Sequence, residues 1–245
     1  MEILGIDVGG TGIKANIVDI EKGEYVSEKF KIKTPSPSTP EAVIECLKLA
    51  ADNFNWKGPN NKIGIGFPAV IKNGISLTAS NIDAQFINYN IDQEFSKALG
   101  CDVRVFNDAD AAGIAEMTYG KGKGVKGVVI FITLGTGIGS AVFFNGKLLP
   151  NTELGHLKYK KSVFEKYASN SARELKHMSW RKWGKELSVY LNHLDLLLSP
   201  ELILIGGGVS KYFDQYSKHL DIKVPVEMAL LQNDAGIIGA AMGAL

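Results

Sequence analysis

Apolar residues in this chain fall into short runs punctuated by glycine, and the period of the runs changes along the sequence. Residues 3–8 (ILGIDV) are a continuous apolar run that predicts a buried strand, followed by the turn Gly9-Gly10-Thr11-Gly12. IKANIVDI alternates imperfectly and predicts a second strand, with YVSEKFKIK a third. Residues 34–40 (TPSPSTP) hold three prolines and predict a loop. Thr39-Pro40-Glu41 supplies a capping hydroxyl, a first-turn proline and an acid, so a helix is expected from there to about residue 55. IGIGF predicts a short buried strand, DQEFSKALG a helix closed by glycine, and VRVF another strand. A helix is expected from 108 to about 119, ended by GKGKG.

The second half repeats this grammar. GVVIFITL predicts a strand, Gly135-Thr136-Gly137-Ile138-Gly139 a turn, and SAVFFNG the return strand. Trp183, Leu187, Tyr190, Leu191, Leu194, Leu197 and Leu198 recur at helical spacing and predict one apolar face on a helix over 179–198, stopped by Pro200. LILIGG is a predicted strand, followed by a glycine turn, a helix, the short strand KVPVEM and a small-residue helix from about Ala235. Setting Asp7 on Thr133, an offset of 126 residues, places Gly9 on Gly135, Gly10 on Thr136 and Ala15 on Ala141. An offset of about half the 245-residue chain predicts two related lobes.

Composition narrows the class. At 45% hydrophobic and 22% charged, the chain can bury a core and is not disordered. No run approaches the ~18 apolar residues of a membrane span, and the N-terminus has no basic segment or apolar stretch of a signal peptide. Two separated cysteines, Cys46 and Cys101, exclude a disulfide scaffold and a Cys-rich zinc site, and fit a cytoplasmic location. A net charge of +1 does not point to a nucleic-acid partner.

The chemistry concentrates in the glycine turns. Gly10-x-Gly12-x-x-Ala15 formally matches a dinucleotide fingerprint, but that turn must open a helix and here a strand follows. A strand–turn–strand with bare glycine amides can still cradle phosphate; a tight hairpin needing positive φ is the alternative. Two turns in equivalent places, with Gly206-Gly207-Gly208 after a third apolar strand, favour a phosphate clamp between lobes. Asp7 ends the first strand beside such a turn. A carboxylate there repels phosphate unless a cation such as Mg²⁺ lies between them, held through water; a turn-capping role is the alternative. Lys121, Lys123 and Lys126 flank a glycine loop, and Lys158, Lys160 and Lys161 form a second group. Spaced cations suit a long polyanion, and solvated surface lysines are the other reading.

DVGGTGIKANIVD, GFPAV, NDADAAG, TLGTGIGSAVFFNG, ELGH and LIGGGVS occur in the order and spacing of the ROK sugar kinases, which the chain resembles over essentially its whole length. LPNTELGHL, AEMTYGKGKGV and NDAGIIGAAMGAL resemble the polyphosphate glucokinase branch of that family. The resemblance implies an α/β, two-lobe actin/hexokinase-like fold, a ribonuclease H-like unit duplicated about an inter-lobe cleft. The small lobe would be residues 1–108 joined by the helix 234–245, and the large lobe 109–233. Most members carry a Cys-x-Cys-Gly-x-x-Gly-Cys zinc segment after Glu-x-Gly-His; here LKYKKSVF alone separates His156 from Glu165, so no zinc is expected. The first strand starts at residue 3, which leaves no helix-turn-helix ahead of it and excludes the repressor branch.

By resemblance the activity is phosphoryl transfer from inorganic polyphosphate, and also ATP, to the 6-hydroxyl of glucose, with Mg²⁺, in a homodimer. Asn107 and Asp108 stand where a predicted strand ends and a helix begins. An aspartate there can accept a hydroxyl proton or cap the helix; the resemblance implies the base role for Asp108, while Asp110 is read as structural. Asn81, Asn107, Glu153, His156 and Glu165 are implied sugar ligands, with Glu165 identified through FEKYASNSA. The donor side is implied at Gly9, Gly10, Thr11, Gly12, Lys14, Thr133, Gly135, Thr136, Gly137, Gly207 and Gly208, with Lys121 and Lys123, and Asp7 on the metal. The rival readings are an ATP-dependent hexose kinase of the same family, a non-catalytic sugar sensor, and a dinucleotide-binding oxidoreductase, which a helix at 13–19 would favour.

Overall fold

A computed structural model describes residues 1–79 and 81–245. They form two compact units, Met1–Ala115 with Asp234–Leu245, and Glu116–Asn233. The first opens with the hairpin β1 (Glu2–Val8) and β2 (Ile13–Asp19), edged by β3 (Glu24–Tyr25) and β4 (Phe30–Ile32). Helix α1 (Pro40–Asn53), strand β5 (Lys62–Phe67) and the small hairpin β6 (Ile71–Lys72) and β7 (Ile75–Ser76) follow. Then come α2 (Ile91–Leu99), β8 (Asp102–Asn107) and α3 (Asp108–Thr118); the division between the units falls inside α3, after Ala115. The sheet order is β3-β2-β1-β5-β8, with β4 also on β2. β2 is a strand, which removes the dinucleotide-fingerprint reading.

The second unit holds β9 (Val128–Leu134), β10 (Ile138–Phe144), β11 (Lys147–Leu149) and the hairpin β12 (Lys158–Tyr159) and β13 (Ser162–Val163). Helices α4 (Glu165–Ala168), α5 (Asn170–Leu175) and α6 (Trp180–Leu198) lead to β14 (Leu202–Gly206), α7 (Phe213–Tyr216) and β15 (Val226–Met228). Helix α8 (Ala235–Gly243) returns to the first unit. This sheet runs β11-β10-β9-β14-β15. In each sheet the first hairpin is antiparallel and the two later strands are parallel, so the two topologies correspond. β1 maps onto β9 at the offset of 126, but the second turn is one residue shorter and the return strand starts earlier. The partner of Ala15 is therefore Ser140, not Ala141.

Local sequence explains where elements begin and stop. Thr39 Oγ1 accepts from Ala42 N at 3.3 Å, with Pro40 in the first turn of α1. The helix ends at Asn53, short of the expected 55, because Asn55 turns left-handed (φ 50°). The third strand expected over YVSEKFKIK is broken into β3 and β4. The fully buried Asn16 explains the break: its Nδ2 donates to Ser27 O at 2.9 Å and its Oδ1 accepts from Ser27 Oγ at 2.7 Å, replacing ladder bonds. Leu197, expected on the buried stripe of α6, is 53% exposed; the fully buried run ends at Leu194, and in the final turn Leu198 packs partly against the core while Leu197 faces outward.

Each sheet has its own core. In the first unit Leu4, Ile6, Ile63, Ile65, Val103 and Val105 point to one face and pack under α1 and α2. In the second, Ile130, Ile132, Ile203 and Ile205 pack with Trp183, Leu187, Leu191 and Leu194 of α6. The other face of the first sheet is built differently. Gly5 and Gly64 are cross-strand partners, and α8 lies on them at backbone distance. A Cβ on Gly64 would sit 1.7 Å from Ala240 O, one on Gly5 2.2 Å from Ile237 O, and one on Gly239 1.6 Å from Ala111 O of α3. No rotamer relieves a clash between Cβ and backbone.

Replacing Gly64 by Ala should therefore destabilise the protein by about 2 kcal/mol or more. That corresponds to a Tm lowered by roughly 4–8 °C for a chain of this size. A melting curve that moves by no more than about 1 °C would show that α8 can lift from the sheet at no cost.

Candidate active site

Strands β1, β5 and β8 run parallel and in register, pairing Asp7 with Gly66, Gly66 with Phe106, and Phe67 with Asn107. The carboxyl ends of these strands thus bring Asp7 and the Asn107-Asp108 pair to one edge of the sheet. Ligands of open α/β sheets bind at such edges. Asp7 shares the sheet face of Gly5, beneath α8, where a Cβ on Gly236 would lie 3.1 Å from its Cγ. Lys14 stands opposite Asp7 on β2 and its Nζ reaches Asp7 Oδ2 at 3.3 Å. The lysine that the resemblance implies for the donor thus pairs with the carboxylate that it implies for the metal.

Asn107 is buried and caps α3. Its Oδ1 accepts from Ala109 N (3.0 Å) and Asp110 N (3.1 Å), and its Nδ2 donates to Ala69 O (3.2 Å). The preceding residue thus caps the helix, and it shares the Ala109 N–H with Asp108. Asp108 is the first residue of the helix, half-buried, with Oδ1 accepting from Ala109 N at 2.8 Å. Asp110 is 2% exposed.

The two hairpin turns close alike: Gly9 N donates to Gly12 O (3.0 Å), and Gly135 N to Gly137 O (3.1 Å). Both first-glycine amides are thus occupied inside their turns. Gly9, Gly10 and Gly12 stay outside the left-handed region, so none is needed for a positive φ; only Gly9 is tightly packed, a Cβ there lying 3.2 Å from Gly12 O. Asn81 is exposed and lies beside the first turn, its carbonyl oxygen 3.5 Å from where a Gly10 Cβ would stand. Gly207 does need its conformation: its φ is +81°, and a Cβ would lie 2.8 Å from Leu134 N. This sets the third glycine turn against the end of β9, next to Thr133, the register partner of Gly206.

The second unit gathers Glu153, His156 and Glu165. Ser140 positions the first of them: its Oγ donates to Thr152 O (2.6 Å) and accepts from Leu154 N (3.0 Å), tying residues 152–154 to β10. Gly155 lets the following turn lie on β10, since a Cβ there would meet Ile138 O at 2.4 Å. His156 stands between two carboxylates, with Nδ1 3.2 Å from Glu153 Oε2 and Nε2 3.7 Å from Glu165 Oε2. Burial pushes the Glu153 carboxyl above its usual range; His156 opposes the shift and Glu165 adds to it. Glu165 opens α4, binds Lys166 Nζ at 2.9 Å, and touches the second glycine turn, where a Gly137 Cβ would fall 2.6 Å from its Oε2. The sequence reading missed Ser140 and Lys166. Ser140 was obscured by the one-residue slip in the repeat alignment.

The lysine groups are mixed. Lys121 pairs with Glu227 (3.5 Å), and Lys160 with Glu186 (2.8 Å) while lying over the rings of Tyr159 and Tyr167. Among the described residues Lys123, Lys126, Lys158 and Lys161 are exposed and form no ion pair.

Residues 3–165 match the model of the ROK family. Over 242 residues the chain is 42% identical to the polyphosphate glucokinase of Mycobacterium tuberculosis, covering 98% of this chain and 90% of that one. The crystal structure of the inorganic polyphosphate/ATP-glucomannokinase from Arthrobacter sp. strain KM matches with a TM-score of 0.95 and 45% identity, covering 99% of this chain and 98% of that one. A ROK family glucokinase from Streptomyces griseus, solved with glucose and AMPPNP, matches with a TM-score of 0.83 and 26% identity, covering 100% and 99%. With its duplicated sheets, its glycine turns and these relatives along nearly all its length, the chain belongs to the ROK family and has the actin/hexokinase-like fold of its sugar kinases.

Proposed function

We propose that this protein phosphorylates the 6-hydroxyl of glucose with inorganic polyphosphate as donor, giving glucose 6-phosphate, and that ATP is a second donor. The observation that carries the mechanism is the placement of Asp108 at the β8–α3 junction. Asn107 caps the helix through Ala109 N and Asp110 N, and Asp108, whose Oδ1 also accepts from Ala109 N, opens that helix at the sheet edge where ligands bind. Similarity over almost the whole chain to a polyphosphate glucokinase supports the choice of acceptor and donor.

In this reading Asp108 takes the proton of the 6-hydroxyl as its oxygen attacks the terminal phosphorus. The new O–P bond forms as the bridging P–O bond breaks, and the shortened polyphosphate, or ADP, leaves with the electron pair. Glu153, His156 and Glu165 hold the sugar hydroxyls, with Asn81 and the second N–H of the Asn107 amide as further partners. The phosphates lie against Gly10, Thr11 and Gly12 and against Thr133, Thr136, Gly137, Gly207 and Gly208. The amides of Gly9 and Gly135 shape those turns instead of facing the anion.

Asp7 supplies a single carboxylate, part-exposed and with Oδ2 on Lys14, a hard oxygen donor suited to Mg²⁺ that completes its shell with water and phosphate oxygens. When bound, the ion neutralises charge on the phosphates. The reading includes a cytoplasmic homodimer, and among the described residues no helix is long and apolar enough to cross a membrane.

Three outcomes follow from this mechanism. Asp108→Asn should lower turnover at least ~10²-fold with little change in glucose affinity; turnover close to the parent would sink the base assignment. A chelator should abolish turnover with either donor and excess Mg²⁺ should restore it; a chelated enzyme that retains its rate contradicts the role given to Asp7. Replacing Lys121, Lys123 and Lys126 together by Gln should raise KM for polyphosphate more than KM for ATP and flatten its salt dependence. Equal effects on both donors would make these lysines solvated surface.

A further inference from the structure

Outside the residues assigned so far, the second unit carries a row of two rings flanked by two cations that runs from the second glycine turn to the third. Its first member is Arg173 on α5. This short helix is fixed to the second turn, because Ser171 N donates to Gly135 O at 3.1 Å and Ser169 Oγ caps it through Ala172 N at 3.1 Å. Arg173 folds back along the helix. Its Nε donates to Asn170 Oδ1 (3.0 Å), its Nη2 to Glu174 Oε1 (3.1 Å), and its Cζ lies over the Trp180 ring, 4.0 Å from the centre.

Trp180 stands 5.2 Å from Tyr212, and Lys211 Nζ lies 4.9 Å from the centre of the Tyr212 ring. Tyr212 closes the turn that follows Gly207, where Ser210 Oγ and N both donate to Gly207 O (2.8 and 3.1 Å). The row Arg173–Trp180–Tyr212–Lys211 thus starts at the second glycine turn and ends at the third.

The chemistry of the row excludes a stacked base and suits an anion. Trp180 already carries the guanidinium and lies nearly parallel to Tyr216, at 28° and 6.0 Å, so a purine would have to displace Arg173. The hydrogen bonds of Arg173 to Asn170 and Glu174 use Nε and Nη2 and not Nη1, and Lys211 is exposed. Glu174 is 61% exposed, so its attraction for Arg173 is weakened by solvent. A guanidinium immobilised by a ring and two hydrogen bonds loses little further freedom on binding phosphate, unlike a solvated lysine.

We propose that Arg173 and Lys211 bind the phosphates of a polyphosphate chain that extend beyond the groups held in the glycine turns. This rests on the donor reading given above. A nucleoside triphosphate offers three phosphates and then an uncharged nucleoside, whereas a long inorganic chain goes on presenting phosphates, so in this proposal the row selects for chain length.

The test compares the parent with Arg173→Gln/Lys211→Gln in glucose phosphorylation driven by long-chain polyphosphate, tripolyphosphate and ATP. KM for the long chain should rise about tenfold, with a smaller salt dependence, while KM for tripolyphosphate, ATP and glucose stays within about twofold. Lys211→Gln alone, at an exposed residue, should give a smaller rise of the same kind and guards against misfolding of the double variant. Parent-like KM for the long chain, or equal rises for all three donors, overturns the proposal while leaving the donor reading intact. A parent enzyme that uses ATP and no polyphosphate overturns both.

Discussion

The first unit depends on one close approach, the seating of α8 on the paired glycines of β1 and β5. Gly5 and Gly64 leave a flat strip with no side chains, and the backbone of α8 occupies it. Gly239 completes the fit on the side of α3. A helix held this closely has almost no freedom to slide, since every lateral step meets a Cβ on one surface or the other. Three elements are thereby locked together, and two of them carry Asp7 and Asp108. The backbone positions that carry the carboxylates at the sheet edge are thus set by close backbone packing.

The two sheets share a topology but hold different groups at corresponding places. Asp7 ends β1 where Thr133 stands in β9, and the corresponding hairpin turns differ by one residue. That single deletion moves Ser140 into the place of Ala15, where its hydroxyl can reach residues 152–154. One copy of the unit thus presents a carboxylate with a lysine partner. The other uses the same backbone to hold a segment that carries an imidazole between two carboxylates.

Most strands and helices were legible because hydrophobic period and capping agreed, as at Thr39-Pro40 and at Ser179, which caps α6. What was hidden lay one residue or one contact away from the pattern. Asn107 and Asp108 are both capping types, and only the length of β8 decides which of them serves. The Lys14 partner of Asp7 follows from hairpin register once the turn length is fixed, and a sequence does not state that length. Glycines 9, 10 and 12 suggested positive φ, yet none has it, and only Gly9 is closely approached, by Gly12 O within the same turn. The stacking of Arg173 on Trp180 has no sequence period, because a loop separates the two helices that carry them.

The hairpin β12–β13 joins His156 to Glu165 without a cysteine between them. Tyr159 lies face to face with Phe164, 4.2 Å apart and within 7° of parallel, and Lys160 ties the tip to Glu186. The distance between the imidazole and the second carboxylate is therefore maintained by ring contact and one ion pair. Both contacts are made within the polypeptide, so the spacing of the two sugar-side motifs is set by how well one short hairpin packs.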